Sequence, residues 1–303
     1  MSTGANTADS RHDRIPLGIL YMIGATVMFA ASSALSKWLV ASYPPGEVLF
    51  VRTGISLILL AIFMVPTTGF AVFRTARIGA HASRCLVQGA AQVCLILALS
   101  MMPLADGLAI NFSAPLFTTL IAAFVLRETV GAVRWGALLV GFIGVLIVTK
   151  PGADTFTPGA LFALGNAVLY GGLMAAVRSM GKTESAETLV LFQHLLLTAL
   201  FGCLLVFGLR WPDNLFDAGL MLGIGVTNVL AQYWWTQALH IAPASAVTPF
   251  YYFLLVWSIV LGFLVWGDLP TLSLIVGSLI VVGCGLVLLW HEQRKAVAPP
   301  QQA

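Results

Sequence analysis

The sequence has few charged residues and few cysteines, and both observations limit the class of protein to which it can belong. Asp, Glu, Lys and Arg make up 9% of the chain, whereas a soluble globular domain carries about a quarter. Because the cysteines lie within apolar runs and fit neither a disulfide framework nor a metal-site spacing, they are interpreted as small buried apolar residues. No metal or cofactor is expected. The cysteines are Cys85, Cys94, Cys203 and Cys284.

The sequence also lacks the motifs that carry enzyme chemistry. It contains no His-Glu-x-x-His, no Gly-x-Ser-x-Gly and no pair of acids inside an apolar run. An enzyme is therefore not expected. The formal net charge of +3 follows from basic residues clustered in connecting segments, so it indicates no nucleic-acid partner.

Long apolar runs dominate what is present. Hydrophobic residues make up 59% of the chain and the mean hydropathy is +0.95. Because a bilayer core about 30 Å thick needs ~20 apolar helical residues, the sequence predicts an all-α integral membrane protein with ten transmembrane helices. They are predicted near residues 17–36, 46–66, 82–100, 105–126, 133–149, 158–177, 188–209, 217–239, 244–266 and 272–290.

Basic residues are distributed unevenly between alternate connections. Lys and Arg near helix ends stay on the cytoplasmic side, and one side holds eleven of them while the other holds three. We therefore expect a multi-pass protein of the bacterial inner (plasma) membrane, with a disordered cytoplasmic leader at 1–15 and a cytoplasmic tail at 292–303. The larger set is Arg11, Arg14, Arg74, Arg77, Arg84, Arg127, Arg134, Arg178, Lys182, Arg294 and Lys295; the smaller is Lys37, Lys150 and Arg210.

The two halves of the chain resemble each other at a nearly constant offset. The segment from Ala98 to Pro103 realigns with Ala238 to Pro243 at a shift of 140, and Glu128 meets Asp268 at the same shift. Five crossings per half is an odd number, so the second copy enters the membrane inverted relative to the first. The sequence predicts two inverted five-helix repeats, at 16–150 and 151–291, around a central cavity.

These residues resemble a known family. The Ala98-Leu99 pair with Pro103, the Pro115-Leu116 pair and Glu128 are similar to the EamA-type repeats of the drug/metabolite transporter superfamily. Within it, the chain most resembles the branch that exports amino acids and aromatic metabolites. The second half departs from the pattern, with Leu255 where Pro115 would recur and Asp268 in place of glutamate, which puts the symmetry of the hinge in doubt.

Polar side chains inside the crossings are candidates for solute binding, because polar groups in hydrocarbon face the bundle interior or a wet cavity. Gln88 and Gln92 lie on one face of the third crossing, and Asn228 and Gln232 occupy the matching positions of the eighth. Amides that only hold helices together are the alternative. The other candidate contacts are Ser33, Asn111, Asn166, Tyr170, Trp235 and Tyr251.

Two prolines are candidate hinges. Pro115 removes the hydrogen bond to the carbonyl of Asn111, four residues earlier, and Pro249 precedes Tyr251 in the ninth crossing. Such a break exposes a backbone acceptor and allows bending. A simple structural kink is equally consistent with the sequence.

Titratable groups are rare in the middle of the crossings. Arg52 is predicted to snorkel outward, with a pairing to Glu47 or a contact with a carboxylate as alternatives. His194 is a candidate proton carrier, although a hydrogen-bonded structural histidine fits the sequence better. No Asp or Glu lies in the middle of a crossing, which argues against strict coupling to a proton or sodium ion.

The sequence therefore predicts a secondary transporter that works as a monomer in the lipid bilayer. By resemblance it exports small organic solutes, namely amino acids and aromatic or cationic metabolites, by alternating access as an uncoupled facilitator. A proton-coupled drug/metabolite antiporter and a solute channel are the alternatives.

Overall fold

The computed structural model describes residues 15–69, 75, 77–124, 131–149, 157–180, 186–242 and 244–297. Glu128, Pro243 and nearly all of the predicted leader lie outside these residues. The described chain is helical, and we number its α-helices in order. They are α1 (Ile15–Val40), α2 (Pro45–Thr68), α3 (Ile78–Met101), α4 (Leu104–Asn111), α5 (Ala114–Phe124), α6 (Ala132–Thr149), α7 (Pro158–Met180), α8 (Ala186–Leu204), α9 (Leu215–Ile241), α10 (Ala244–Val247), α11 (Phe253–Trp266) and α12 (Leu272–Val297).

The helices follow the apolar runs of the sequence closely. Seven segments of the described chain are long and apolar enough to cross a membrane, and three shorter apolar helices accompany them, at Trp135–Thr149, Pro158–Leu173 and Leu272–Leu288. The last helix continues to Val297, so its backbone extends into the segment predicted to be a tail. The chain is a multi-pass membrane protein.

Two of the predicted crossings are interrupted helices. The fourth is divided into α4 and α5 by a turn at Phe112 and Ser113, just before Pro115. The ninth begins as the short helix α10, passes through a 3-10 turn at Thr248–Tyr252 and continues as α11. Proline lacks the amide hydrogen that an α-helix needs at these positions. The breaks therefore lie at the two prolines singled out in the sequence.

Helices of one half pack against helices of the other half. α1 packs along α9, α3 along α7, α2 along α8, and α6 along α12. The fifth crossing thus packs against the tenth, as α6 against α12. A Cβ added to Gly277 would lie 2.7 Å from the Gly144 carbonyl oxygen, so these two backbones meet without side chains between them.

One end of the bundle is closed by contacts between connections, and we call it the Tyr43 end. The Tyr43 hydroxyl donates to Asp217 Oδ2 at 2.8 Å. The backbone N–H of Arg210 donates to Glu47 Oε2 at 2.9 Å. These bonds join the connection between α1 and α2 to the connection between α8 and α9.

A lysine reinforces the same end of the bundle. Lys37 Nζ donates to the carbonyls of Leu99 at 2.9 Å and Met102 at 2.5 Å, which are acceptors that the end of α3 leaves free. The ammonium also lies 5.4 Å from the centre of the Trp266 ring, a cation–π distance. One side chain of α1 thereby holds the ends of α3 and α11 together.

Candidate functional site

Polar side chains of three helices form a connected chain in the centre of the bundle. Arg52 on α2 donates from Nη2 to Gln92 Oε1 on α3 at 2.6 Å. One turn earlier on α3, Gln88 lies beside the Tyr170 side chain of α7. The structure therefore joins α2, α3 and α7 through residues that the sequence singled out separately.

The position of Arg52 corrects the expectation that it snorkels outward. Its guanidinium reaches across to Gln92 instead, and Glu47 accepts its hydrogen bond from the backbone of Arg210. The acids whose side chains the structure describes are Glu47, Asp106, Glu187, Asp213, Asp217 and Asp268, and they all lie near helix ends or in connections. Within this described set, Arg52 has no carboxylate partner, and its Nε is buried without a hydrogen-bond partner.

Asn228 connects α9 to the same centre. Its Nδ2 donates to Ser56 Oγ at 2.9 Å, and Ser56 lies one turn after Arg52 on α2. The Ser56 hydroxyl is also 2.8 Å from the Arg52 carbonyl and 3.0 Å from that of Gly225. Sequence analysis missed Ser56, although its spacing of four residues from Arg52 is a signal that the two share a helix face.

His194 is fully enclosed and hydrogen-bonded at both ring nitrogens. Nδ1 lies 3.0 Å from the Val190 carbonyl, and a carbonyl oxygen only accepts, so Nδ1 carries the hydrogen. Nε2 lies 3.4 Å from Asn228 Nδ2, which donates to it. These contacts define a neutral imidazole, which matches the structural histidine that the sequence favoured.

Aromatic side chains form one wall beside these groups. Tyr251 packs edge-to-face against Phe29, with ring centres 6.3 Å apart, and against Phe112 at 5.9 Å. It lies close enough to Tyr170 for the two hydroxyls to interact electrostatically. Tyr170 and Tyr251 are both half-buried although other helices surround them. Both tyrosines therefore lie among the groups around Arg52.

Two asparagines present acceptors without partners. Asn166 on α7 donates from Nδ2 to the Ala91 carbonyl on α3 at 2.6 Å, which leaves its Oδ1 buried and unpaired. Asn111 Oδ1, at the end of α4, is likewise buried without a hydrogen-bond partner. A buried acceptor without a partner costs about 1–3 kcal/mol. Both oxygens therefore have unused acceptor capacity, although neither has accessible surface in this structure.

The remaining candidates are placed less centrally. Gln232 and Ser33 are half-buried on α9 and α1, and Ser32, next to Ser33, donates to the Ile224 carbonyl at 3.5 Å. Trp235 is 36% exposed. These three are not linked to Arg52 by the described hydrogen bonds.

A separate cavity of about 230 Å³ opens at the Tyr43 end. Asp106 and Asp268 line it from the first turn of α4 and from the connection before α12. The described residues contain no cluster of three or more His, Cys, Asp or Glu side chains that could hold a metal ion. This cavity is distinct from the Arg52 centre and lies on a different level of the bundle.

Apolar membrane-length helices around a hydrogen-bonded polar centre define a membrane transporter. Comparison with known proteins gives the family. A model of the EamA-like transporter family matches residues 16–150 and 157–290. The chain belongs to this family, with two copies of its repeat.

Curated relatives align with this chain over nearly its full length. The riboflavin transporter of Vibrio cholerae is 28% identical and covers 91% of this chain and 94% of its own. The S-adenosylmethionine uptake transporter of Rickettsia bellii is 27% identical, with coverage of 92% and 95%. The pseudopaline exporter of Pseudomonas aeruginosa is 29% identical, with coverage of 90% and 96%.

A solved structure supports the same fold. A protein of known crystal structure superposes on 92% of this chain and 99% of its own, with a TM-score of 0.62 and 20% sequence identity. At this identity the likeness concerns the fold alone.

Proposed function

We propose that this transporter carries small organic solutes through the Arg52 centre by alternating access, in ten crossings arranged as two inverted repeats. The single observation that carries the proposal is the hydrogen-bonded network between the halves. Arg52, Gln88 and Gln92 come from residues 16–150, while Tyr170, His194 and Asn228 come from 151–291. A site shared in this way is opened to one side or the other when the halves move.

The helix pairing supports inverted repeats. In each half the third crossing packs against the first crossing of the other half: α3 against α7, and α9 against α1. The second crossings, α2 and α8, pack against each other, as do the fifth, α6 and α12. Such reciprocal pairing is expected when two copies are related by a two-fold axis in the membrane plane.

The interrupted crossings support movement around the site. Phe112, at the break between α4 and α5, contacts Tyr251, which lies in the 3-10 turn before α11. Irregular backbone at membrane depth is tolerated only where protein or a water-filled cavity surrounds it. We assign Pro115 and Pro249 as hinges on this basis.

We place the Tyr43 end outside the cell and both termini in the cytoplasm, following the distribution of basic residues. For the solute, the aromatic wall of Tyr170 and Tyr251 favours ring-bearing compounds. Amino acids and aromatic or cationic metabolites remain the proposed class. The relatives, named for three different metabolites, support a small organic solute in general. Export remains the proposed direction.

Uncoupled transport is favoured over proton coupling. Protonation of His194 at Nε2 would break its contact with Asn228 Nδ2, and the described membrane interior holds no carboxylate. Radiolabelled flux into proteoliposomes tests the proposal, with saturable exchange expected and no requirement for a pH gradient. The solutes tested are a panel of amino acids and aromatic amines. Non-saturable flux indicates a channel. A complete absence of flux for every solute in the panel contradicts transport.

A further inference from the structure

The arginine at the centre of the site is incompletely satisfied. Arg52 Nη2 has Gln92 as its partner, while Nε is buried with none. A guanidinium presents five N–H donors in a planar fork that matches a carboxylate in a bidentate geometry. One neutral amide therefore uses a small part of its hydrogen-bonding capacity.

The surroundings of Arg52 leave its charge without compensation among the described residues. Gln92, Ser56 and Asn228 are neutral, and the contacts of His194 hold it in the neutral form. Burying a cation is costly unless an anion and further hydrogen bonds accompany it. Arg52 as a whole is half-buried, while its Nε has no accessible surface, so an anion would reach this side of the guanidinium when the helices move.

The same environment disfavours a solute that is only cationic. A second positive charge within about 5 Å of Arg52 would be repelled in a medium of reduced dielectric constant. The unpaired oxygens of Asn111 and Asn166 could accept from an ammonium or hydroxyl group, but they carry no full charge. Electrostatics at this centre therefore select first for an acidic group.

We infer that the transported solute carries a carboxylate, which binds the guanidinium of Arg52 while Gln92 holds that guanidinium in position. This inference rests on the proposed transport function and specifies the substrate class of its site. It narrows the solutes from amino acids and aromatic or cationic metabolites to carboxylates, including amino acids, and excludes simple amines.

Matched indole compounds test the inference on the purified full-length protein. Tryptophan has a carboxylate and an amine, indole-3-propionate has only the carboxylate, and tryptamine has only the amine. We expect the first two to raise the thermal unfolding midpoint in detergent and tryptamine to leave it unchanged. Equal effects of all three compounds, or no effect of either carboxylate, overturn the inference.

Two variants test whether Arg52 is the group that binds the carboxylate, and a third serves as the control. Arg52→Gln removes the cation, and Gln92→Glu places an internal carboxylate on it at the 2.6 Å contact. Both are expected to weaken carboxylate binding about tenfold or more, the scale of a charge-assisted hydrogen bond. Gln92→Glu is also expected to fold at least as stably as the parent, so its loss of binding is not a folding defect.

Arg84→Gln is the matched control. It removes a second buried guanidinium, whose Nη2 donates to the Leu189 carbonyl at 2.8 Å, and it is expected to retain the preference for carboxylates. Retention of that preference in Arg52→Gln, or its loss in Arg84→Gln alone, overturns the assignment to Arg52.

Flux measurements separate this inference from the transport proposal. Proteoliposomes that move tryptamine as fast as tryptophan support transport and overturn the carboxylate requirement. Proteoliposomes that move none of the tested solutes contradict transport, whereas the thermal shift in detergent still decides whether Arg52 binds a carboxylate.

Discussion

Tyr43 donates a hydrogen bond to Asp217 at 2.8 Å and accepts one from the backbone N–H of Asp213 at 3.1 Å. The phenol of one half is therefore held between two residues of the other half. With the bond from Arg210 to Glu47, it closes the Tyr43 end while the central site retains accessible surface. In the proposed alternating-access mechanism, this contact would act as a gate between the halves.

Removing the gate contact should favour opening at this end. Tyr43→Phe deletes the hydroxyl and two hydrogen bonds, a change of about 1–3 kcal/mol. We expect a cysteine introduced at Asn228 to react several-fold faster with an impermeant maleimide added from the Tyr43 side. The four native cysteines are replaced by serine in both backgrounds. An unchanged labelling rate would show that Tyr43 does not hold this end closed.

The contact between α6 and α12 should depend on the absence of a side chain at Gly277. A Cβ there would lie 2.6 Å from Val148 Cγ2 and 2.7 Å from the Gly144 oxygen. Gly277→Ala is therefore expected to cost about 1–3 kcal/mol, as overpacking does. A lower unfolding midpoint in detergent measures the loss.

Gly283 provides the control on the same helix. A Cβ at this position meets nothing within 4 Å, so Gly283→Ala should leave the midpoint unchanged or slightly higher. Equal unfolding midpoints for the two variants would show that the close contact between α6 and α12 does not contribute to stability.

The break before Pro115 should influence turnover more than binding. Pro115→Ala restores an amide hydrogen and favours a continuous helix through Phe112 and Ser113. We expect a kcat several-fold lower and a KM that changes little. Pro45→Ala is the control, because Pro45 begins α2, where proline fits without loss of a helical bond. Normal turnover in Pro115→Ala would reduce this proline to a packing role.

The contacts of His194 predict transport that does not respond to a pH gradient. The neutral ring donates to Val190 and accepts from Asn228, so protonation of Nε2 would require the loss of the Asn228 contact. Flux should be the same with and without an imposed gradient of about one pH unit, provided the mean pH is constant. Stimulation by the gradient in the parent, abolished in His194→Gln, would instead establish a proton-coupled mechanism.

The helices were predictable because long apolar runs and the prolines between them mark boundaries directly. The prediction for the third crossing began at residue 82, but α3 begins at Ile78. Its first turn, residues 78–81, contains Gly79, Ala80 and His81 and is only weakly apolar, so hydropathy marks the apolar core and not the start of the helix.

The site was only partly predictable. Gln88 and Gln92 were found because their spacing places them on one face, and they do contact Tyr170 and Arg52. The direction of the Arg52 side chain was not predictable, since it depends on the rotation of α2 relative to α3. The periodicity of residues within one helix gives no information about its rotation relative to a neighbouring helix. The contacts of Lys37 were not predictable for the same reason, because its acceptors lie on another helix.

The isolated positive charge at Arg52 also bears on direction. If that charge stays at a fixed depth while the halves rock, the charge that crosses the membrane is that of the solute alone. A cell interior at −100 mV then favours the outward movement of a monoanion by about 2.3 kcal/mol, equivalent to a concentration ratio of roughly fifty. An electroneutral zwitterion would gain nothing from the voltage. Export of acidic metabolites could thus be driven by the resting potential, without a coupled ion.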